Sequence, residues 1–272
     1  MPYVKKYRKV TRRVRKNSGA RKATVPFVMR QIAKLNNSRE TKTATQLGTN
    51  VLFGNYNIGA FGTVANTLTV IPLGPADTSM EILQGVTQNS RIGNKIETKS
   101  LKVKAMFSPM YYDATNNPEP KPCVVKVWIL TQKNQILGAP EPSFSEFFQA
   151  GDTATAPHGN TLDTFLAINK DVYTVYARRT YKVGNSGVVK PGNASGQNSQ
   201  NFANNDFKLS ARMNLDLTKH CLKYQTYNDN APEPTGRGLF MVIEAVSADG
   251  YNYNTGYPVQ MSYQQDYKYT DA

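Results

Sequence analysis

Ten lysines and arginines stand between Met1 and Lys22, with no acidic residue among them. They fall in three groups: Lys5, Lys6, Arg8 and Lys9; then Arg12, Arg13, Arg15 and Lys16; then Arg21 and Lys22. Cations at this density neutralise phosphates and release condensed counterions. They bind a polyanion strongly, in a salt-dependent way, and without sequence preference. Tyr3 and Tyr7 lie among the charges, where a phenol ring can stack on an unpaired base. The same residues also read as a solvated tail or as a nuclear-import signal, because 5–9 and 12–16 are short Lys/Arg-rich runs. Nucleic-acid binding is the preferred reading, and import is compatible with it.

The rest of the chain is poor in reactive constellations. His158 and His220 are the only histidines and lie in dissimilar contexts. Two histidines cannot supply the His and carboxylate cluster that a metal-dependent enzyme needs. No Cys-x-x-Cys, phosphate-loop or Gly-x-Ser-x-Gly pattern occurs. No enzyme activity, cofactor or metal is therefore expected. Cys123 and Cys221 are too few for a disulfide framework, and a reduced, intracellular state is expected. Asn193-Ala194-Ser195 matches a glycosylation acceptor and is taken as chance. No stretch approaches the ~20 apolar residues of a membrane span, so no membrane partner is expected. The most apolar early stretch, 23–33, is interrupted by Arg30 and Gln31, so the start reads as an arm rather than a secretion signal.

The chain has 272 residues and a net charge of +14. The segment 1–22 accounts for +10 of it, which leaves +4 for 23–272. A cationic arm thus precedes a nearly balanced body. Self-repulsion should keep the arm extended without a polyanion, with a reach on the order of 70 Å at ~3.3 Å per residue. At 26–35, Val28, Ile32 and Leu35 fall on one helical face while Arg30 and Lys34 fall on another. That predicts a short amphipathic helix, too short to be stable alone, with a basic side for phosphates. The expected division is an arm over 1–36 and a β domain over 37–272.

Eight strands are expected in the β domain: 65–73, 95–108, 123–132, 162–168, 172–183, 207–217, 239–247 and 257–269. The period of two is clearest at 95–108, where Leu101, Val103, Ala105 and Phe107 share one face and Lys102 and Lys104 the other. Phe207, Leu209, Ala211, Met213, Leu215 and Leu217 are likewise in phase. A short helix is expected at 143–149, with Ser143 as cap and Glu146 as its capping-box partner. Long Gly-, Pro- and Asn-rich connections occupy 112–122, 184–206 and 228–238. Such strands with almost no helix predict an all-β sandwich or barrel. Lys99, Lys102 and Lys104 read either as a surface touching nucleic acid or as an ordinary solvated strand face, and the solvated face is preferred. Arg178, Arg179 and Lys182 are a similar case. Trp128 reads as core. Tyr111, Tyr112, Tyr251 and Tyr253 are candidate subunit-contact anchors.

The start Met-Pro-Tyr followed by Lys/Arg clusters resembles coat proteins of small circular single-stranded DNA viruses, the circovirus-like group. The stretch 82–96, with its Gln84-Gly85 and Arg91-Ile92-Gly93, is similar to the same family and to plant satellite virus coats. Residues 165–172, 238–243 and 269–272 resemble those satellite coats. The resemblance implies a single eight-stranded jelly roll with a disordered or partly helical arm, self-assembling into an icosahedral shell of sixty copies. It implies a virion protein that enters the host nucleus for assembly and packages a single-stranded genome, DNA favoured over RNA. A cellular nucleic-acid-binding protein with a basic tail on a β domain is the alternative.

Overall fold

The alternation at 95–108 becomes the longest strand of the molecule. In the computed structural model Lys95–Pro109 is continuous, with Leu101, Val103, Ala105 and Phe107 buried and Lys102, Lys104 and Met106 exposed. The structure describes Pro26, Val28, Met29, Arg30 and residues 40–272, apart from 54–57, 60–62, 65–67, 81, 87–89, 110–121, 134–143, 160, 185–207, 209, 229–230, 232–233 and 248–258. The chain divides into two units, Met1–Arg39 and Glu40–Ala272.

Among the described residues of the second unit, eight strands have six residues or more. In chain order they are β1 Lys42–Phe53, β2 Leu68–Leu73, β3 Lys95–Pro109, β4 Cys123–Gln132, β5 Tyr173–Val183, β6 Ala211–Asp216, β7 Leu239–Ser247 and β8 Val259–Asp271. One sheet has the order β1-β8-β3-β6, with the short strand Tyr224–Thr226 continuing along the β6 edge of β3. The other has the order β5-β4-β7-β2. Every pairing within these two sheets is antiparallel. This strand order is that of a jelly roll, two Greek keys folded into a double sheet.

The inward faces of both sheets meet in one core. Leu101, Val103 and Phe107 of β3 and Met261 of β8 belong to the same cluster as Val125 and Ile129 of β4 and Met241 and Ile243 of β7. Each such side chain contributes roughly 1.5–3 kcal/mol by leaving water.

Three expectations are corrected. Residues 143–149 form no helix over their described part: Ser145 and Glu146 lie in a turn, and Phe148 begins the short strand Phe148–Ala150. A helix would place Phe147 and Phe148 on different sides, whereas both are fully buried around Trp128. Residues 162–168 are not one strand. Thr161–Thr164 is a 3-10 turn, followed by the two-residue strand Ala167–Ile168. The backbone N–H groups of His158 and Gly159 donate to Asp163 Oδ2 at 2.7 and 2.6 Å, which curls the chain instead of extending it. Finally, β1 lies outside the expected strands. It is an edge strand held by β8 and by an ion pair of 2.6 Å between Lys42 Nζ and Asp271 Oδ2.

Candidate nucleic-acid interface

The arm residues Lys5, Lys6, Arg8, Lys9, Arg12, Arg13, Arg15, Lys16, Arg21 and Lys22 lie outside the described residues, as do Ile32, Lys34 and Leu35. Of the candidate phosphate ligands only Arg30 is described. It is helical and exposed, as are Val28 and Met29 beside it. Tyr111, Tyr112, Tyr251, Tyr253 and Asn193 also fall outside.

The strand lysines of the second unit are described. Lys102 and Lys104 project from the outer face of the β1-β8-β3-β6 sheet, and Lys99 is half-buried at a bulge where β3 slips against β8. Cross-strand register brings further cations to this face. Arg212 of β6 stands opposite Met106, and Lys268 of β8 stands opposite Ser100. Where Tyr224–Thr226 pairs with β3, Ile96 and Gln225 are buried, so Lys95 and Tyr224 point outward. Lys95 Nζ lies 4.5 Å from the centre of the Tyr224 ring and Lys223 Nζ lies 5.3 Å from it. The carboxylates of this face are engaged. Glu97 pairs with Lys99 at 3.0 Å. Asp216 and Asp266 are the register neighbours of Lys102 on either side. Asp216 accepts from Thr218 N and Oγ1, and Asp266 accepts from Thr45 Oγ1 and Gln264 Nε2. Arg212, Tyr224 and Lys268 are not evident in the sequence because each reaches this face through a partner strand, and Lys223 comes with Tyr224.

Across the sandwich, the outer face of the β5-β4-β7-β2 sheet is covered. Described residues between β4 and β5, among them Phe144, Phe147, Phe148 and Ile168, pack over it. Trp128, Leu130, Phe147, Phe148, Ile168, Tyr173, Phe240 and Val242 make a second apolar cluster there. Trp128 meets Phe147 edge-on at 5.4 Å and Phe148 at 6.0 Å. Lys126 and Glu244 are register partners on β4 and β7 and are both buried under this cover. Lys126 Nζ donates to the backbone carbonyl of Asp163 at 2.8 Å. Burial pushes Lys126 down to about 8, helped by Arg178 and opposed by Glu244 and Asp163. Glu244 is pushed well above the usual carboxylate range, first by burial and then by the carboxyl of Asp163, with Lys126 opposing. Neither Glu244 side-chain oxygen has a hydrogen-bond partner among the described residues. Arg178, Arg179 and Lys182 lie on the edge strand β5, and all three are exposed.

The Arg91-Ile92-Gly93 stretch has a structural role. Arg91 is fully buried, and each of its three side-chain nitrogens donates to an acceptor. Nε donates to Ile82 O at 3.3 Å. Nη1 donates to Gly93 O at 2.8 Å and Asn94 Oδ1 at 3.1 Å. Nη2 donates to Asn228 O at 3.2 Å and Ala231 O at 3.1 Å. The guanidinium also sits 4.5 Å over the Tyr227 ring. One side chain thus ties the approach to β3 to the loop before β7.

His158 Nδ1 lies 3.0 Å from Asp163 Oδ1, and the His220 ring stacks on Tyr176 at 4.8 Å. Among the described residues no three His, Cys, Asp or Glu side chains form a metal-ligand set. Cys123 and Cys221 are free thiols, and burial pushes Cys221 up to about 12. A cavity of about 110 Å³ is lined by residues of both sheets and their loops, Tyr176, His220, Gln225 and Arg237 among them. No described helix is long and apolar enough to cross a membrane.

The fold and this site define a jelly roll with one covered outer face and one open, basic outer face. No protein family matches the sequence, and no curated protein matches it. Among solved structures the chain is similar to one described as Desmodium yellow mottle tymovirus, at 11% identity and a TM-score of 0.36, over 86% of this chain and 89% of that one.

Proposed function

We propose that the chain is a virus coat protein. It self-assembles into a closed icosahedral shell of sixty copies, and its basic arm packages a single-stranded genome, DNA in preference to RNA. Its place is the virion, and import machinery carries it to the host nucleus for assembly. One conjunction supports this: an eight-stranded jelly roll on the same chain as a segment, 1–22, that carries +10. Jelly rolls also serve lectins and cupins, but neither of those uses calls for a dense phosphate-neutralising arm. Sedimentation and electron microscopy of the purified protein test assembly. Closed spherical particles are expected, and a strictly monomeric protein in near-physiological salt, with and without nucleic acid, overturns it. Nuclease treatment of the extracted contents tests the genome: contents spared by DNase and destroyed by RNase overturn the choice of DNA.

A further inference from the structure

We propose that the outer face of the β1-β8-β3-β6 sheet is a second nucleic-acid contact, holding phosphates of a single strand on Lys102, Lys104 and Arg212 and one of its bases on Tyr224. This rests on the packaging function above and extends it from the arm to the folded domain.

Charge distribution points to this face. Residues 41–272 hold twenty basic and eighteen acidic residues, a net +2. Among the described residues the open face holds seven basic residues and three acidic ones, a net +4. A polyanion is attracted to this local excess of positive charge. Of the three carboxylates, Glu97 is paired with Lys99, while Asp216 and Asp266 flank Lys102 and accept from Thr218, Thr45 and Gln264, so Lys104 and Arg212 are the less screened cations. Lys102 and Lys104 have no ion-pair partner among the described residues, and both are exposed.

Geometry adds a base platform to the phosphate sites. Residues two apart on a strand are about 6.6 Å apart on one face, so Lys102 and Lys104 form a short row of cations along β3. Some distance further along β3, Tyr224 is 46% exposed, with the ammonium groups of Lys95 and Lys223 against its ring. An incoming phosphate competes for those ammonium groups and frees the ring for a base. Sequence-tolerant binding of single strands needs this pairing of a cationic track with an aromatic surface. A solvated strand face needs neither feature.

The test uses the full-length protein and a labelled single-stranded oligodeoxynucleotide, with anisotropy measured across a salt series. One variant carries K102Q, K104Q and R212Q; a second carries K5Q, K6Q, R8Q and K9Q. The sheet variant is expected to lower the log–log salt slope by about 2, at ~0.7 for each lost phosphate, with its thermal midpoint unchanged. Tyr224→Ala is expected to weaken binding about fivefold or more at an unchanged slope, and Tyr224→Phe to restore it. If the triple variant fails to fold, K104Q alone should lower the slope by about 0.7. A slope that falls in the arm variant but not in the sheet variant overturns this proposal and leaves the arm as the packaging element. A slope unchanged in both overturns the packaging function as well.

Discussion

The two outer sheet faces of the jelly roll are built from the same kind of alternating strand and meet opposite fates. On the β4 and β7 side, outward Trp128, Leu130, Phe240 and Val242 are apolar, and Phe147, Phe148 and Ile168 from the segment between β4 and β5 pack over them. On the β3 and β8 side, outward Lys102, Lys104 and Lys268 are charged and exposed. The alternate positions of one strand set decide which sheet face its own chain covers and which it leaves exposed. The covered face has a cost, because its burial also traps Lys126 and Glu244. The open face holds no buried ionisable pair of that kind among its described residues.

The comparison breaks most visibly at Trp128. Trp128→Ala should cost about 3–5 kcal/mol, as a fully buried ring is lost from the second cluster. Met106→Ala on the open face should cost well under about 1 kcal/mol, since that side chain is 40% exposed. Urea denaturation of the two variants checks both, and equal losses would show that the two faces do not differ. Gly48→Ala should come next, at about 1–3 kcal/mol. A Cβ there would overlap Tyr263 Cε1, so the ring must leave its place beside β1. The thermal midpoint should drop, and Tyr263→Ala in the same chain should relieve part of the loss.

The pH dependence separates the faces more finely. Glu244 holds its proton in the folded state above its ordinary 4.5. Its contribution is fully present below that value and is lost as pH rises through the raised one. Lys126 is depressed from 10.5 to about 8. Its contribution is present above 10.5 and is lost as pH falls through about 8. Stability should therefore fall above pH 4.5 through Glu244 and recover between about 8 and 10.5 through Lys126. Glu244→Gln should remove the decline and Lys126→Met the recovery. Melting profiles of either variant that parallel the wild type contradict this. The smallest effect belongs to the open face: K102Q, K104Q and K268Q together should move stability by no more than about 0.5 kcal/mol each, measured by thermal melting.

The open face was partly legible from one strand alone, because a half-exposed strand repeats every two residues and β3 does so without interruption. Its other half was not, since Arg212, Lys268 and Tyr224 join it only through pairing between distant segments. β1 is hidden in the sequence for a related reason. Its inward positions include Lys42 and Ala44, so no apolar alternation marks it, and it is placed by its pairing with β8. At 143–149 a suitable cap and the spacing of Phe144 and Phe147 mimic one helical face, but packing on Trp128 overrides that local preference. The 82–96 stretch was recognisable as a motif. Its physical content, a buried guanidinium serving backbone carbonyls from two loops, depends on Asn228 and Ala231 far along the chain.

The most direct test of the central claim compares particles formed by the full-length chain with those formed by a chain lacking residues 1–22. Sedimentation isolates the particles, and the ratio of ultraviolet absorbance by bases to that by aromatic side chains reports their nucleic acid. Removing the +10 segment should leave the jelly roll folded, with any particles nearly free of nucleic acid, while full-length particles are loaded. Equal loading of the two particles, or a full-length protein that forms no particles, would contradict it.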